Sequence, residues 1–240
     1  MSLKKYVPNA ITLGNLLSGC IALLFAVNNH IEYAALFVAL GVFLDFFDGF
    51  FARLFKVQSE VGLQLDSLAD MVTSGVVPGV VMYKMLVDAS GGSWGANDQT
   101  EIGFVAYLGF VITLASAYRL AKFNVDDRQT GSFIGLPTPA NTLFILSLPL
   151  IVSYSDYAFA KAALENTYVL LGITALSAFL LNAELPLFSL KLKSFSFKEN
   201  ALRYIFIIAS LLLLVLLHYL AMPLIILMYV LLSLLFPSKA

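Results

Sequence analysis

Four aspartates near the ends of two very apolar segments carry the clearest chemical signal in the chain. Asp45 and Asp48 fall late in a run from about Tyr33 to Arg53, and Asp66 and Asp70 fall early in a run from about Leu65 to Met85. A carboxylate in the middle of a membrane-length helix costs about 2.5–3.5 kcal/mol or more, so it marks a function by default. Four together repel one another unless cations lie between them. The full pattern is Asp45-x-x-Asp48-Gly49-x-x-Ala52-Arg53, eight residues, then Gly62-x-x-x-Asp66-x-x-x-Asp70. Each pair is spaced to share one helix face. Oxygen ligands without His or Cys suit Mg²⁺, Mn²⁺ or Ca²⁺ rather than zinc. Two ions held by shared carboxylates can clamp a phosphoryl group and its leaving oxygen. Gly49, Ala52 and Gly62 add little bulk beside the carboxylates, so a large polar headgroup can lie against the helix backbone. Arg53 is placed for a phosphate contact. The competing reading, ion pairs that hold helices together, suits a single intramembrane aspartate better than four flanked by glycines.

Such residues need helices to position them. The chain has 240 residues, 60% hydrophobic and 12% charged, about half the charged fraction of a soluble domain. The expected fold class is all-α: a polytopic membrane helix bundle, one integral membrane domain over residues 1–240. Its core is expected at about 8–183, with two further spans within about 201–236. A span needs about 20 mostly apolar residues. Eight are expected, at about 10–28, 33–53, 65–86, 103–122, 138–153, 167–183, 201–218 and 220–236. His218 to Pro223 leaves little room for a turn, so the last two can also be read as one re-entrant hairpin. Pro78, with Gly75 and Gly79, is expected to kink the third span, its freed backbone groups satisfied by neighbours.

Basic residues orient the spans. With eight spans and a cytoplasmic N-terminus, the inner side collects Lys4, Lys5, Arg53, Lys56, Arg119, Lys122, Arg128, Lys191, Lys193, Lys198, Arg203 and Lys239, twelve of the fourteen Lys and Arg. Both termini are therefore expected in the cytoplasm, with Trp94 an interface anchor in the outer 88–101 loop. The second span then ends, and the third begins, at the inner face. This brings both aspartate pairs to that face, where the third helix's N-terminal dipole favours negative charge. The net charge of −1 gives no case for nucleic acid. Cys20 is the single cysteine, which excludes an intrachain disulfide. Leu17-Ser18-Gly19-Cys20 looks like a lipoprotein cleavage box after Lys4 and Lys5, but Pro8, Asn9 and Asn15 interrupt the apolar stretch. An uncleaved first helix is expected.

The spacing from Asp45 to Asp70 matches the signature of the CDP-alcohol phosphotransferases, integral membrane enzymes of phospholipid synthesis. Pro8-Asn9-Ala10-Ile11-Thr12-Leu13 resembles that family's entry to its first helix. Arg119-Leu120-Ala121-Lys122-Phe123-Asn124, followed by Phe133-Ile134-Gly135-Leu136-Pro137-Thr138-Pro139-Ala140, resembles its phosphatidylserine synthase branch. The resemblance implies transfer of a phosphatidyl group from CDP-diacylglycerol to L-serine at the cytoplasmic face of a bacterial-type cell membrane. It assigns Asp45, Asp48, Asp66 and Asp70 to two divalent ions, Mg²⁺ or Mn²⁺, with Asp70 also the base. It assigns Gly49, Arg53 and Ser59 to the CDP-diacylglycerol headgroup, with Asn9 and Thr12, beside Ala52 and Gly62. It also implies a homodimer.

Arg119 and Asn124 are candidates for the serine carboxylate or a phosphate, since a guanidinium suits bidentate contact. Lys122 and Arg128 also fit simple anchoring, and Arg128 joins Arg119 and Asn124 as a serine-binding candidate. Lys191, Lys193, Lys198 and Arg203 are expected to attract anionic lipid headgroups. His30 and His218 read as interfacial or structural. Two alternatives stand beside serine transfer. One is a sibling transferase using glycerol 3-phosphate or inositol phosphate, which would need more basic residues than this region supplies. The other is a carboxylate-based cation transporter, which has no need of the glycines and Arg53 at this spacing.

Overall fold

A computed structural model describes residues 6–92, 103–126, 133–188 and 197–236. Lys4, Lys5, Trp94, Arg128, Lys191, Lys193 and Lys239 lie outside the described residues, as does the side chain of Lys198. The described chain is almost wholly helical. Helix α1 spans Val7–Val27, α2 Ile31–Phe55, α3 Glu60–Asp70 and α4 Val77–Ala89. A 3-10 segment, Phe104–Phe110, leads into α5, Val111–Val125. Helices α6 Thr138–Tyr154, α7 Ala158–Leu164 and α8 Thr167–Asn182 follow, then α9 Phe197–Leu217 and α10 Ala221–Leu235. Strands β1 (Phe133–Ile134) and β2 (Pro186–Leu187) form a two-residue antiparallel ribbon.

By length and composition, five helical stretches can cross a membrane, or six if the pair α7 and α8, bent by 77°, is one span. The longest stretch, Asn200–Leu235, is not straight. His218 takes a left-handed conformation, φ 49°, and the rings of Phe206 and Tyr229 come within 5.7 Å. Along one straight helix those residues would stand roughly 34 Å apart. Helices α9 and α10 are therefore an antiparallel pair folded at His218. Counting these two separately and adding the 17-residue α6, the described residues make seven passes, or eight if α7 and α8 are one.

Small residues let α1 and α2 approach closely. Ser18, Gly19, Ala22 and Ala26 are buried on α1, and Ala34, Val38 and Gly41 on α2. In a bilayer, where apolar surface gains little by leaving lipid, such faces drive helix association through packing. A second cluster, with Leu187, Phe188, Phe206 and Tyr229, joins the C-terminal pair to β2.

The third span differs from expectation at both its start and its middle. It begins at Glu60, about five residues early. Ser59 caps it by accepting the Gly62 N–H at 3.1 Å, a cap-type residue overlooked behind polar Glu60 and Gln64. Asp66 and Asp70 thus lie about two and three turns beyond the N-terminus, where the helix dipole has faded. The expected dipole contribution is corrected accordingly. Where the kink is expected, the chain winds through a π-helical segment, Met71–Val76, closed by Val77 N–H to Val72 O, and Glu60–Ala89 runs on as one span. Pro78 has no N–H to offer the carbonyl four residues earlier, Ser74. The Thr142 hydroxyl on α6 lies 2.9 Å from it and 2.8 Å from Thr138 O, sharing one proton between them, and Thr113 on α5 donates to Gly75 O at 2.9 Å. His30, at the start of α2, packs edge-on against Phe25 and Tyr33.

Candidate active site

The link between α2 and α3 is short because α2 stops sharply. Lys56 is left-handed, φ 55°, and its N–H returns to the carbonyls of Ala52 and Arg53. The chain then reverses through Val57 and Gln58 to the Ser59 cap. This turn brings the two aspartate pairs together. Asp45, Asp48 and Asp66 each present a carboxylate oxygen, all within 4.8 Å of one another. Asp48 is 6% exposed. Asp66 Oδ1 is buried with no hydrogen-bond partner. A buried acceptor without a hydrogen-bond partner, facing two further carboxylates, fits a cation, whose charge would offset their mutual repulsion.

Asp70 stands apart from this three-membered group. Its Oδ1 accepts a hydrogen bond from Asn15 Nδ2 at 3.1 Å. The corresponding partner of Asp48 is Thr12, whose hydroxyl lies 2.5 Å from Asp48 Oδ2 and 3.0 Å from Pro8 O. One hydroxyl proton cannot serve both, and the charged carboxylate is the stronger acceptor. Thr12 is 3% exposed, so its oxygen serves Asp48 as well as bordering the cavity described next.

A cavity of about 480 Å³ opens between the end of α2 and the start of α3. Asn9, Thr12, Gly49, Ala52, Arg53, Ser59 and Gly62, the seven headgroup candidates, all line it, together with Asp48 and Asp66. Arg53 folds back so that its guanidinium lies 3.5 Å from where a Cβ on Gly49 would stand. That is ordinary contact, so Gly49 is not required by its protein neighbours, and its bare backbone is left to the cavity. Gly62 is tighter: a Cβ there would lie 3.1 Å from Ser59 Oγ and 3.4 Å from Asn9 Oδ1. Gln58 and Glu60 also line the cavity.

Asn124 reaches the same end of the bundle from α5. Its Nδ2 donates to Ser67 Oγ at 2.9 Å, one residue from Asp66. Arg119 is 7% exposed. Both N–H groups of its Nη1 are engaged, by Ile134 O at 2.8 Å and Leu181 O at 2.9 Å. An acceptor carboxylate would have to use the N–H groups of Nε and Nη2. Gly135 makes this arrangement possible. Its φ is 76°, and a Cβ would lie within 2.9 Å of Leu181 O, Ala183 O and Arg119 Nη1. Lys122 pairs with Glu184 at 3.3 Å on the surface.

Asn15 and Ser67 were not singled out from the sequence. Asn15 falls three residues after Thr12 on the same helical face, which was a usable signal. Ser67 gave none.

Comparison with known proteins agrees with this geometry. The chain is 36% identical over 135 residues to CDP-diacylglycerol--serine O-phosphatidyltransferase of Bacillus subtilis (strain 168), covering 56% of this chain and 70% of that one. It is 31% identical over 176 residues to the protein of that name from Helicobacter pylori (strain J99 / ATCC 700824), covering 71% and 69%. A third, from Mycobacterium leprae (strain TN), is 30% identical over 151 residues, covering 60% of this chain and 46% of that longer relative. Residues 5–235 match the family described as CDP-alcohol phosphatidyltransferase. The match takes in both aspartate pairs, the cavity between them and every described helix, and the chain belongs to the CDP-alcohol phosphatidyltransferase family.

Proposed function

We propose that this protein is a membrane enzyme of phospholipid synthesis that transfers the phosphatidyl group of CDP-diacylglycerol to L-serine, releasing phosphatidylserine and CMP. The observation that carries this reading is the convergence of Asp45, Asp48 and Asp66 within 4.8 Å beside a cavity lined by Arg53, Gly49 and Gly62. Family membership sets the cation-transporter alternative aside.

In this reading the nucleotide headgroup lies in the cavity against the bare backbone of Gly49 and Gly62. Arg53 contacts its phosphates, and Asn9, Ala52 and Ser59 border it. Asp45, Asp48 and Asp66, with Asp70 beside them, would hold divalent ions, Mg²⁺ or Mn²⁺, whose charge offsets that of the diphosphate. The Asp70 carboxylate takes the proton of the serine hydroxyl. The hydroxyl oxygen bonds to the phosphorus that carries diacylglycerol, and the bond from that phosphorus to the bridging oxygen breaks. CMP leaves with the bonding electrons. Arg119, through its Nε and Nη2 edge, and Asn124, with Arg128, hold the acceptor's carboxylate. Residues 1–240 act as one integral membrane domain, with the site at the cytoplasmic face. The homodimer rests on the resemblance alone, and the mass of the detergent-solubilised protein tests it.

The decisive assay gives purified protein CDP-diacylglycerol and Mn²⁺ with serine, glycerol 3-phosphate or inositol phosphate in turn, and measures CMP release. Release with serine alone is expected, and its disappearance in excess chelator. Release with glycerol 3-phosphate instead would make the protein a sibling transferase.

A further inference from the structure

Asn15 is wholly buried in α1. Its Nδ2 donates to Asp70 Oδ1, and its backbone carbonyl accepts the Thr73 hydroxyl, both at 3.1 Å. Its own Oδ1 is buried and meets no donor. An amide with half its capacity unused is a costly filler for a helix interface, where an apolar side chain would pack without that penalty. Yet the surroundings are cut to admit it. A Cβ on Gly41 would stand 2.8 Å from Asn15 Oδ1 and 2.8 Å from Thr73 Cγ2, so α2 carries no side chain where the amide sits. The amide's orientation follows from its partner. An ionised carboxylate only accepts, so the NH₂ group faces Asp70 and the carbonyl oxygen is turned away.

We propose that Asn15 is a positioning residue for the reaction: it holds Asp70 Oδ1, so that Oδ2 is the oxygen presented to the acceptor hydroxyl. This rests on the reading of Asp70 as the base. The two α1 donors then divide the work. Thr12 binds Asp48, a member of the three-carboxylate group, whereas Asn15 binds the one carboxylate outside it. Removing each should therefore fail in a different way.

The test compares Asn15→Leu, Gly41→Ala, Thr12→Val and Asp70→Asn in the full-length protein. It measures kcat, the Michaelis constants, Mn²⁺ binding by calorimetry and the melting temperature in detergent. Asn15→Leu is expected to lower kcat roughly ten- to a hundredfold, as for loss of a hydrogen bond to a charged group. Both Michaelis constants and melting temperature should hold, and Mn²⁺ affinity should fall far less than kcat. Gly41→Ala, which crowds the amide, should move kcat the same way, and it carries the test where Asn15→Leu fails to accumulate. Thr12→Val should instead weaken Mn²⁺ binding. A wild-type kcat in Asn15→Leu, or a loss seen equally in Mn²⁺ affinity, overturns the proposal. An active Asp70→Asn removes the base reading itself. An inactive Asp70→Asn beside a full-rate Asn15→Leu removes only the positioning role.

Discussion

The acidic group on α2 and α3 and the Arg119 node on α5 both place charge inside membrane-length helices, yet the protein treats them oppositely. Arg119 is answered by the chain itself, with two carbonyls fixed to Nη1. The loop beyond it is stitched to α8 by Leu136 N–H to Leu180 O at 2.8 Å, and to the segment after α8 by Gly135 N–H to Leu185 O at 2.9 Å. The C-terminal pair extends the same construction, with Tyr229 Oη donating to Phe188 O at 2.9 Å. The carboxylates of Asp45, Asp48 and Asp66 face one another instead, and Asp48 and Asp66 line a cavity. Buried charge that the fold satisfies supports the architecture; buried charge that the fold leaves facing its own kind marks a candidate site.

The comparison breaks most sharply at Asp66. Asp66→Ala should abolish CMP release, a loss of at least about a hundredfold that excess Mn²⁺ does not restore. Its melting temperature without metal should hold or rise, because like charges have been thinned. Falling stability with retained turnover would make the cluster structural. Arg119→Ala should do the reverse, lowering stability by about 2–4 kcal/mol because two interior carbonyls lose their donor. In the protein that remains folded, the serine Michaelis constant should rise more than about tenfold if the other guanidinium edge holds the acceptor. A denaturation curve unchanged by Arg119→Ala would erase the contrast between the two regions.

Weaker changes refine the picture. Tyr229→Phe should cost about 1 kcal/mol, the size of one interior hydrogen bond, with kcat intact. A kcat loss there would tie the C-terminal pair directly to turnover. Lys56→Gly should give the smallest effect. It relieves a left-handed backbone that disfavours a side chain by about 1 kcal/mol. Thermal melting should rise slightly at constant activity, and a fall would mean that the lysine side chain supports the turn.

The spans were legible because apolar length is a property of composition. The expected 138–153 and 167–183 lie within a residue of α6 and α8. Of the seven headgroup candidates, Gly49, Ala52, Arg53, Ser59 and Gly62 follow the aspartate spacing along α2, the turn and α3, whereas Asn9 and Thr12 on α1 could be named only from the resemblance. The break between the last two spans, expected between 218 and 220, falls at His218. Two things were not legible. The start of α3 hid behind the polar residues Glu60 and Gln64. The partnerships Thr12 with Asp48 and Asn15 with Asp70 join residues 36 and 55 positions apart, which no local pattern encodes. Arg119 illustrates the limit best: its type suggested a ligand contact, and only the fold shows that two of its donors are already occupied.

The π-helical segment has a consequence of phase. On its N-terminal side α3 buries only Ala69, while on its C-terminal side α4 buries nine of its thirteen residues. A π turn inserts about one residue relative to an α-helix, and each residue turns the helix by about 100°. Met71–Val76 therefore acts as a gear between two angular settings. One suits a packed interior, and the other points Asp66 and Asp70 at their counterparts on α2. Winding Met71–Val76 as an uninterrupted α-helix with every residue kept would rotate the two aspartates by about 100° relative to α4, whereas deleting one residue there would close the helix with their setting retained. The chemistry of this site is set as much by that angular offset as by the identity of its carboxylates.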